Sequence, residues 1–392
     1  MSRNMLKKYV LTTVSILVLV LLIMFVNLYA DPLSLINSKV GYIKSAKVAE
    51  NMSNNMNSDK IDGTVDERMV KRIFIENHIN DCTATTMALG SSRAALISSD
   101  MLNPNESLIN LSVTGAELKE IIALYGLARS NGYLPENLII SLDMWWLNSN
   151  YSGKRFNMSL ADAYDDYVTE VLGYSDSGID PDNVEGRFKG EDVSFSSSVR
   201  SFLHSDADIK SEIFSVHYLQ NSLKYLFCDR TNSVIPIDPF VKYTDYTMIR
   251  HDGSYSYPPS FRDASVSEVY NRALEAISVS ILGCEDYYEL DPKLCDLFKD
   301  FLSSVQKDGV NIRFVMLPLH PAVEFHMLCY DKYDTALSAE TWFRNVAEEY
   351  EIPVSGSFSA DKNGFGEDAF YDALHVKDSY VAVLISELEE NA

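Results

Sequence analysis

An uninterrupted apolar segment near the N-terminus constrains this chain more than any other feature. Residues 9–30 read YVLTTVSILVLVLLIMFVNLYA and carry no charged side chain. As a helix, the segment is roughly 33 Å long, which is enough to cross a hydrocarbon layer of about 30 Å. Arg3, Lys7 and Lys8 precede it and Asp31 follows it. Because positive flanks stay in the cytoplasm, the sequence predicts a single-pass protein of the cell membrane with its C-terminal part outside.

A cleaved signal peptide ending at Ala30 is the alternative interpretation of this segment. Its apolar region would be longer than the roughly 7–15 residues of most signal peptides, and Leu28 is a poor residue for the position two before a cleavage-site alanine. The sequence therefore favours an uncleaved anchor. In either case the body of the protein is expected to work outside the cytoplasm.

The rest of the chain has the composition of a folded protein. Hydrophobic residues make up 46% of the whole chain, which excludes intrinsic disorder for most of its length. Lys and Arg number 33 against 56 Asp and Glu, and the resulting charge of −23 excludes nucleic acid as a partner. The five cysteines show no CxxC spacing and the histidines have no metal-ligand spacing, so no metal site is predicted. No Walker or GxGxxG pattern appears either, and no cofactor is predicted.

Changes in sequence character divide the chain into segments. Residues 31–65 are polar around positions 50–55 and are expected to be a tether. The predicted segments are a cytoplasmic N-terminus (1–8), an anchor (9–30), the tether (31–65) and one extracytoplasmic domain (66–392), which carries an insertion at about 149–263.

Short apolar runs alternate with helical patterns outside the insertion. Runs typical of buried strands are found at residues 85–90, 108–113, 138–143, 312–318 and 352–356. Helical spacing is found between the second and third runs, before the fourth, and at Val381, Leu384, Ile385 and Leu388. This alternation predicts an α/β fold in which a parallel sheet lies between two layers of helices. Ligands of such sheets bind at the carboxyl ends of the strands.

Two loop motifs carry residues suited to nucleophilic catalysis. Gly90-Ser91-Ser92-Arg93 follows the first strand, where a serine hydroxyl would lie at the carboxyl edge of the sheet. Asp372 stands three residues before His375, a spacing that lets a carboxylate orient an imidazole. Each motif has an ordinary alternative: the serine as a helix N-cap, and the Asp and His as a surface loop.

Together, these motifs resemble those of the SGNH/GDSL hydrolase superfamily. The resemblance covers about residues 85–148 and 311–390, and includes Asn110-Leu111-Ser112-Val113-Thr114-Gly115 as a second block. It implies a three-layer, flavodoxin-like fold and a triad of Ser92, Asp372 and His375. It also implies that the Ser92 and Gly115 N–H groups stabilise the oxyanion.

One branch of that superfamily is most similar to this chain. Membrane-anchored members that acylate cell-surface polymers, such as alginate acetylation proteins and the D-alanine transfer protein of teichoic acid synthesis, combine Gly-Ser-Ser with a Trp-rich block and a late Asp-x-x-His. Here that block reads Ser141-Leu-Asp-Met-Trp-Trp-Leu-Asn148. This resemblance implies a multi-pass membrane O-acyltransferase as the donor partner and a carbohydrate or polyol-phosphate polymer as the acceptor.

The third block departs from the superfamily pattern. Asp143 stands where the superfamily normally has an asparagine that donates to the oxyanion. A carboxylate there would repel a developing negative charge unless it were protonated or turned away. Asn148 is the substitute donor that the sequence offers, although it lies five residues further on.

Several residues near these motifs are candidates for substrate contact, each with an ordinary structural alternative. The candidates are Arg93, Asp143, Trp145, Trp146, His320 and Tyr257. Arg93 could instead be a surface residue of the first helical turn, the tryptophans could be core or rim aromatics, and His320 could belong to a proline-fixed turn.

These features predict serine-dependent O-acyl transfer to a cell-surface polymer, or removal of an acyl group from it, through an acyl-enzyme on Ser92. Anchoring favours transfer over hydrolysis. The alternative is a non-catalytic protein that binds a polymer or scaffolds a modification complex, and Asp143 is the feature that favours it.

Overall fold

The computed structural model of the protein describes residues 3–31, 39–61, 65–151, 160–178, 195–205, 210–211, 213–228, 234–281 and 283–390. Its strands, in chain order, are β1 (Asn57–Asp59), β2 (Thr86–Leu89), β3 (Leu108–Asn110), β4 (Asn137–Leu142), β5 (Ile235–Ile237), β6 (Met248–Ile249), β7 (Tyr255–Ser256), β8 (Asn311–Met316) and β9 (Val354–Gly356). Its α-helices are α1 (Arg3–Ala30), α2 (Lys39–Ser53), α3 (Glu67–His78), α4 (Leu118–Ser130), α5 (Ala161–Asp166), α6 (Phe195–His204), α7 (Val216–Cys228), α8 (Pro259–Arg262), α9 (Val266–Val279), α10 (Pro292–Lys307), α11 (Pro321–Leu328), α12 (Asp334–Glu349) and α13 (Asp378–Glu390).

Helix α1 contains the predicted apolar segment. Over Lys7–Ala30 it is long and apolar enough to cross a membrane, and it is the one such helix in the described part of the chain. Side chains of residues 9–22 are exposed to the surroundings rather than packed against the domain. A helix with this surface is stable in lipid, because all its backbone hydrogen bonds are internal.

A five-stranded parallel sheet forms the centre of the folded domain. Its strand order is β3-β2-β4-β8-β9, and every neighbouring pair is parallel. All five strands predicted from the sequence are present in it, with somewhat different ends. The α/β class with a parallel sheet is therefore confirmed.

Side chains on the strands alternate between two hydrophobic cores. In β4, Leu138 and Ile140 belong to the core formed with α3, α4, α10 and α12, whereas Ile139 belongs to the core formed with α13. Because successive residues of a strand point to opposite faces, the sheet is covered on both sides. The predicted layers of helix, sheet and helix are present.

A second, antiparallel sheet has the strand order β5-β1-β6-β7. Strand β1 lies within the predicted tether, residues 31–65, so that prediction is wrong where the structure describes this segment. Helix α2 also belongs to the folded domain: it packs against α3 and buries Val48, Ala49 and Met52.

The sequence pattern missed β1 because its three buried residues, Asn57–Asp59, are polar. Asn57 of β1 is fully buried, and its amide donates to the carbonyl oxygen of Val241 at 2.9 Å. The Asp59 carboxylate accepts a hydrogen bond of 2.6 Å from Thr244. Buried polar groups that are hydrogen-bonded in this way leave no apolar periodicity to detect.

The predicted insertion, residues 149–263, contributes no strand to the parallel sheet in the part that the structure describes. Helix α5 packs on α4, helices α6 and α7 pack on α1, and β5, β6 and β7 form the second sheet with β1. Residues 152–159, 179–194, 206–209, 212 and 229–233 of the insertion lie outside the described residues.

Candidate active site

Gly90 places the serine motif at the carboxyl end of β2. A Cβ atom on Gly90 would lie 2.6 Å from the Cβ of Ala94 and 2.9 Å from the Cβ of Ser141. No side chain fits in that space, so only glycine lets the chain turn this tightly against β4.

The segment after Ser92 forms a single 3₁₀ turn, Ala94–Leu96, and not a longer helix. The side-chain amide of Asn110 donates to the carbonyl oxygens of Ala94 and Ile97, at 2.8 and 2.9 Å. These are the carbonyls to which a continuing helix would direct its own N–H groups, and the turn ends there. The ordinary alternative, in which the serine is the N-cap of a helix, is therefore wrong for Ser92, since the residue that precedes this turn is Arg93.

Three side chains form a continuous hydrogen-bonded chain at this edge of the sheet. Nε2 of His375 lies 2.9 Å from Oγ of Ser92. Nδ1 of the same ring lies 2.9 and 2.8 Å from the two carboxylate oxygens of Asp372. The structure thus brings together the three residues that the sequence motifs singled out.

A short loop holds the Asp and His residues in this arrangement. Phe370 pairs with Val376 in an isolated antiparallel bridge, and the N–H of Tyr371 donates to the carbonyl oxygen of His375 at 2.8 Å. Burial raises the pKa of the Asp372 carboxyl, but the His375 ring and the N–H groups of Leu374 and His375 outweigh burial and hold that pKa at about 2. Asp372 is therefore a carboxylate throughout the neutral range, and an anion suits the orientation of His375.

Two backbone N–H groups at the same edge have no acceptor within the described part of the chain: those of Ser92 and Gly115. The N–H of Val113 donates to the carbonyl oxygen of Gly90 at 3.1 Å, which brings the segments of both groups to neighbouring positions. Gly115 has φ +61°, a left-handed conformation that favours glycine. These two groups remain the candidate oxyanion donors.

Asn148, the substitute third donor, is already engaged elsewhere. Its Nδ2 donates to the carbonyl oxygen of Gly283 at 2.8 Å, and its Oδ1 accepts from the N–H of Asn150 at 3.0 Å. Asn148 is also 3% exposed. The prediction of Asn148 as an oxyanion donor is wrong, because both ends of its amide serve the loop that follows β4.

Arg93 and Asp143 form a buried ion pair, so the prediction that they contact substrate is wrong. Their exposed fractions are 1% and 0%, and Nη1 of Arg93 lies 3.0 Å from Oδ1 of Asp143. Burial raises the pKa of the Asp143 carboxyl, while the guanidinium of Arg93 opposes this shift. The side chain of Arg93, the residue after Ser92, points inwards below the edge of the sheet. The sequence did not indicate this direction.

The guanidinium of Arg93 also joins the serine loop to the end of β8. Nη2 donates to the carbonyl oxygens of Leu317 and Pro318, the second at 3.0 Å. Two residues further on, the N–H of His320 donates to the carbonyl oxygen of Ala373 at 3.0 Å. A connected set of contacts therefore links Ser92 to the loop that carries Asp372 and His375.

The tryptophans are buried and do not form a sugar-stacking surface. Trp145 and Trp146 are each 2% exposed, and both indole N–H groups donate to the carbonyl oxygen of Ala116 at 3.0 Å. Their predicted role in substrate contact is wrong, because the turn after β4 points both rings into the core.

His320 is likewise fully buried, at 0% exposed. Its Nδ1 accepts from the N–H of Ala322 at 3.1 Å and caps helix α11. The predicted substrate contact through His320 is therefore wrong; the residue serves as the N-cap before Pro321, a role that the sequence did not indicate.

Tyr257 is the substrate-contact candidate that lies beside the triad. Its ring centroid is 5.7 Å from that of His375 and 5.4 Å from that of Tyr371, and the residue is half-buried. Arg272 supports the same wall, donating to the carbonyl oxygen of Tyr371 at 3.1 Å. Arg272 was not among the residues predicted from the sequence. A Ser265–Glu268 capping box predicts helix α9, on which Arg272 lies, and this is the only indication of its position that the sequence holds.

A cavity of about 350 Å³ lies away from this site and is lined by residues of the segments 79–85 and 132–136. Thr85 and Glu136, among its lining residues, precede β2 and β4, so it adjoins the amino ends of the strands. None of its lining residues belongs to the triad, and we assign it no part in the chemistry. Within the described residues, no group of three His, Cys, Asp or Glu side chains is placed to hold a metal ion.

A search of protein-family models finds no match to this chain, and a search of curated proteins finds none either. The function therefore has to be inferred from the residues of the site.

Proposed function

We propose that this protein is a membrane-anchored serine acyltransferase or esterase that acts on a cell-surface polymer, in the manner of the SGNH/GDSL superfamily. The observation that carries the proposal is the hydrogen-bonded chain from Ser92 through His375 to Asp372. A serine, a histidine and a carboxylate in this order activate a hydroxyl for attack on an ester carbonyl.

In the first half of the reaction, Oγ of Ser92 attacks the carbonyl carbon of an acyl ester or thioester. Nε2 of His375 accepts the hydroxyl proton, and Asp372 stabilises the imidazolium that results. The N–H groups of Ser92 and Gly115 receive the negative oxygen of the tetrahedral intermediate. Collapse of that intermediate expels the leaving group, which takes the proton from Nε2 and leaves the acyl group on Oγ.

In the second half, a hydroxyl group attacks the acyl-enzyme. His375 takes the proton of that hydroxyl and then returns it to Oγ of Ser92 as the acyl group departs. A sugar or polyol hydroxyl of the polymer gives transfer, whereas water gives hydrolysis. We favour transfer, because an enzyme held at the membrane by α1 is suited to receive acyl groups from a multi-pass membrane O-acyltransferase.

The scaffold alternative rested on a carboxylate at the position of the third oxyanion donor. The guanidinium of Arg93, 3.0 Å from the carboxylate of Asp143, offsets that negative charge. This pairing weakens the one feature that favoured a non-catalytic protein.

The proposal is tested on the full chain in detergent micelles, with p-nitrophenyl acetate as acyl donor and a fluorophosphonate probe for reactive serines. Wild type should be labelled and should turn over the ester, while Ser92→Ala and His375→Ala should lose both activities. Ser91→Ala is the matched control, because Ser91 is the adjacent serine but is 1% exposed; this variant should still be labelled. A folded wild type that neither reacts with the probe nor releases p-nitrophenol would refute the proposal.

Transfer and hydrolysis are separated by adding a soluble polyol, such as glycerol phosphate, or a short oligosaccharide to the same assay. Acyl groups found on the added hydroxyl compound indicate transfer. Free acetate alone, at a rate that the acceptor does not change, indicates an esterase.

A further inference from the structure

The C-terminal end of α1 is covered by a pair of helices from the insertion. Leu28 is 1% exposed and belongs to a small hydrophobic cluster with Phe202, Ile213 and Tyr218. Met24, one turn earlier, packs against the same cluster. Helices α6 and α7, together with Ile213 between them, thus form a collar around the last turns of α1; we call this set the collar.

Polar contacts reinforce the apolar ones. Nδ2 of Asn27 donates to the carbonyl oxygen of Ile213 at 2.8 Å, and the hydroxyl of Tyr218 donates to Asp31 at 2.6 Å. Asn27 lies inside the uncharged stretch of α1, where an amide facing lipid would have no partner. Since its partner belongs to the collar, the collar reaches the depth of Asn27.

The length of α1 sets that depth. A hydrocarbon layer of about 30 Å takes about 20 residues of helix, so a layer that begins at Tyr9 ends close to Leu28. The contacts at Met24, Asn27 and Leu28 therefore fall within about 6 Å of the outer boundary of the hydrocarbon layer.

The side of α7 that faces away from α1 carries an exposed apolar stripe. Val216, Gln220, Leu223 and Phe227 fall within about 60° of one another around a helix of 3.6 residues per turn. Val216 is 60% exposed, Leu223 40% and Phe227 81%.

The opposite side of α7 has the character of an inner face. Tyr218 and Ser222 are both fully buried, and Tyr218 packs against Leu28 of α1. Lys224, beside the outer stripe, is exposed and suits phosphate headgroups. Leu203 of α6, at 63% exposed, adds a further apolar side chain to the outer surface of the collar.

We propose that the collar lies in the outer headgroup region of the bilayer that α1 spans, with Val216, Leu223 and Phe227 in contact with lipid. The occupant of this apolar face is lipid because the face continues directly from the membrane-spanning helix, at the depth where lipid surrounds it. An amphipathic helix at this boundary buries its apolar side in the acyl chains and leaves its charged groups among the headgroups. The proposal rests on α1 spanning the membrane and does not depend on the acyltransferase activity.

The test uses fluorescence of the full chain in lipid nanodiscs that contain phosphatidylcholine brominated on the upper part of its acyl chains. The informative variant is Phe227→Trp, with Leu223→Trp as a second variant should the first fail to fold. The emission that either introduced tryptophan adds should be lower by roughly half in the brominated discs than in discs of the same lipid without bromine, as expected for a side chain in the headgroup–acyl boundary. The native tryptophan signal, measured on wild type in the same discs, is subtracted.

Two control variants make the outcome decisive. Phe325→Trp replaces a 70% exposed side chain on α11, outside the collar, and its emission should not be quenched. Leu17→Trp, in the middle of α1, should be quenched. Quenching of Leu17→Trp without quenching of Phe227→Trp or Leu223→Trp overturns the proposal, and absence of quenching in all variants overturns its premise that α1 spans the bilayer. Neither result bears on the serine-probe assay.

Discussion

Replacing Arg93 by methionine should destabilise the protein in a strongly pH-dependent way. The substitution keeps an unbranched, flexible stem but removes the guanidinium charge that faces Asp143, a carboxylate with 0% exposure. Breaking a buried ion pair on one side costs about 3–5 kcal/mol, because the remaining charge has no partner. In the variant, the carboxyl group avoids this penalty by taking up a proton.

The cost of that protonation follows from the ordinary pKa of 3.8 for the carboxyl group. Keeping such a group neutral in the folded state costs about 4 kcal/mol at pH 7 and about 1.6 kcal/mol at pH 5, at 1.36 kcal/mol per pH unit. The destabilisation caused by Arg93→Met should therefore be larger at pH 7 than at pH 5, by up to about 3 kcal/mol, the full difference applying with Asp143 ionised in wild type.

Urea unfolding of the full chain in detergent, followed through tryptophan fluorescence, to which the buried Trp145 and Trp146 contribute, measures this difference. The matched control is the double variant Arg93→Met, Asp143→Asn, which has no carboxyl group to protonate and should show the same destabilisation at both pH values. A loss of stability below about 1 kcal/mol, or one that does not change between the two pH values, would refute the reasoning that Arg93 neutralises a buried charge.

Two further substitutions test titratable groups: Asp372 of the candidate triad and the buried Lys71. Asp372→Asn should lower esterase turnover by roughly 10⁴-fold, as loss of the orienting carboxylate does in serine hydrolases, and a loss below tenfold would contradict the role assigned to Asp372. The pKa of Asp372 is held at about 2, so the stability that the ionised carboxylate contributes is present above pH 3.8 and is lost as the pH falls through 2. At about pH 5, Asp372→Asn should therefore be less stable than wild type by about 2 kcal/mol in urea unfolding. Lys71 is fully buried, and burial lowers its pKa to about 8, so the unfolded chain binds more protons between pH 8 and 10.5 and wild type should gain up to about 3 kcal/mol of stability over that range. Lys71→Met should lack this gain, and parallel stability curves for variant and wild type would contradict the assigned pKa.

The parallel sheet could be predicted from the sequence because its signals are local. Each strand is a short apolar run and each covering helix has an apolar stripe, as in α4 and in α13 with Val381, Leu384 and Ile385. The triad could be predicted for a related reason. Strand ends place loop residues at one edge of a parallel sheet, so serine and histidine motifs that follow different strands are expected to lie close together.

The second sheet and the surroundings of the triad could not be predicted in this way. Their positions depend on long-range polar contacts, such as those of Asn57 with Val241 and of Arg93 with Asp143. A charged residue next to a nucleophile has the same appearance in the sequence whether it points to substrate or into the core. The direction of Arg93 is set by the carbonyls at the end of β8, which lie more than 200 residues away along the chain.

The triad unites residues from the two ends of the folded domain, since Ser92 and His375 are 283 positions apart. A ribosome adding about 5–20 residues per second needs roughly 15–60 s to make the intervening chain. During that interval Ser92 has no histidine beside it, so under the proposed mechanism its hydroxyl stays unreactive until the segment with His375 has been made. Under the proposed mechanism, activity therefore requires the segment that carries His375, and a product cut short before that residue would lack the proton acceptor of Ser92.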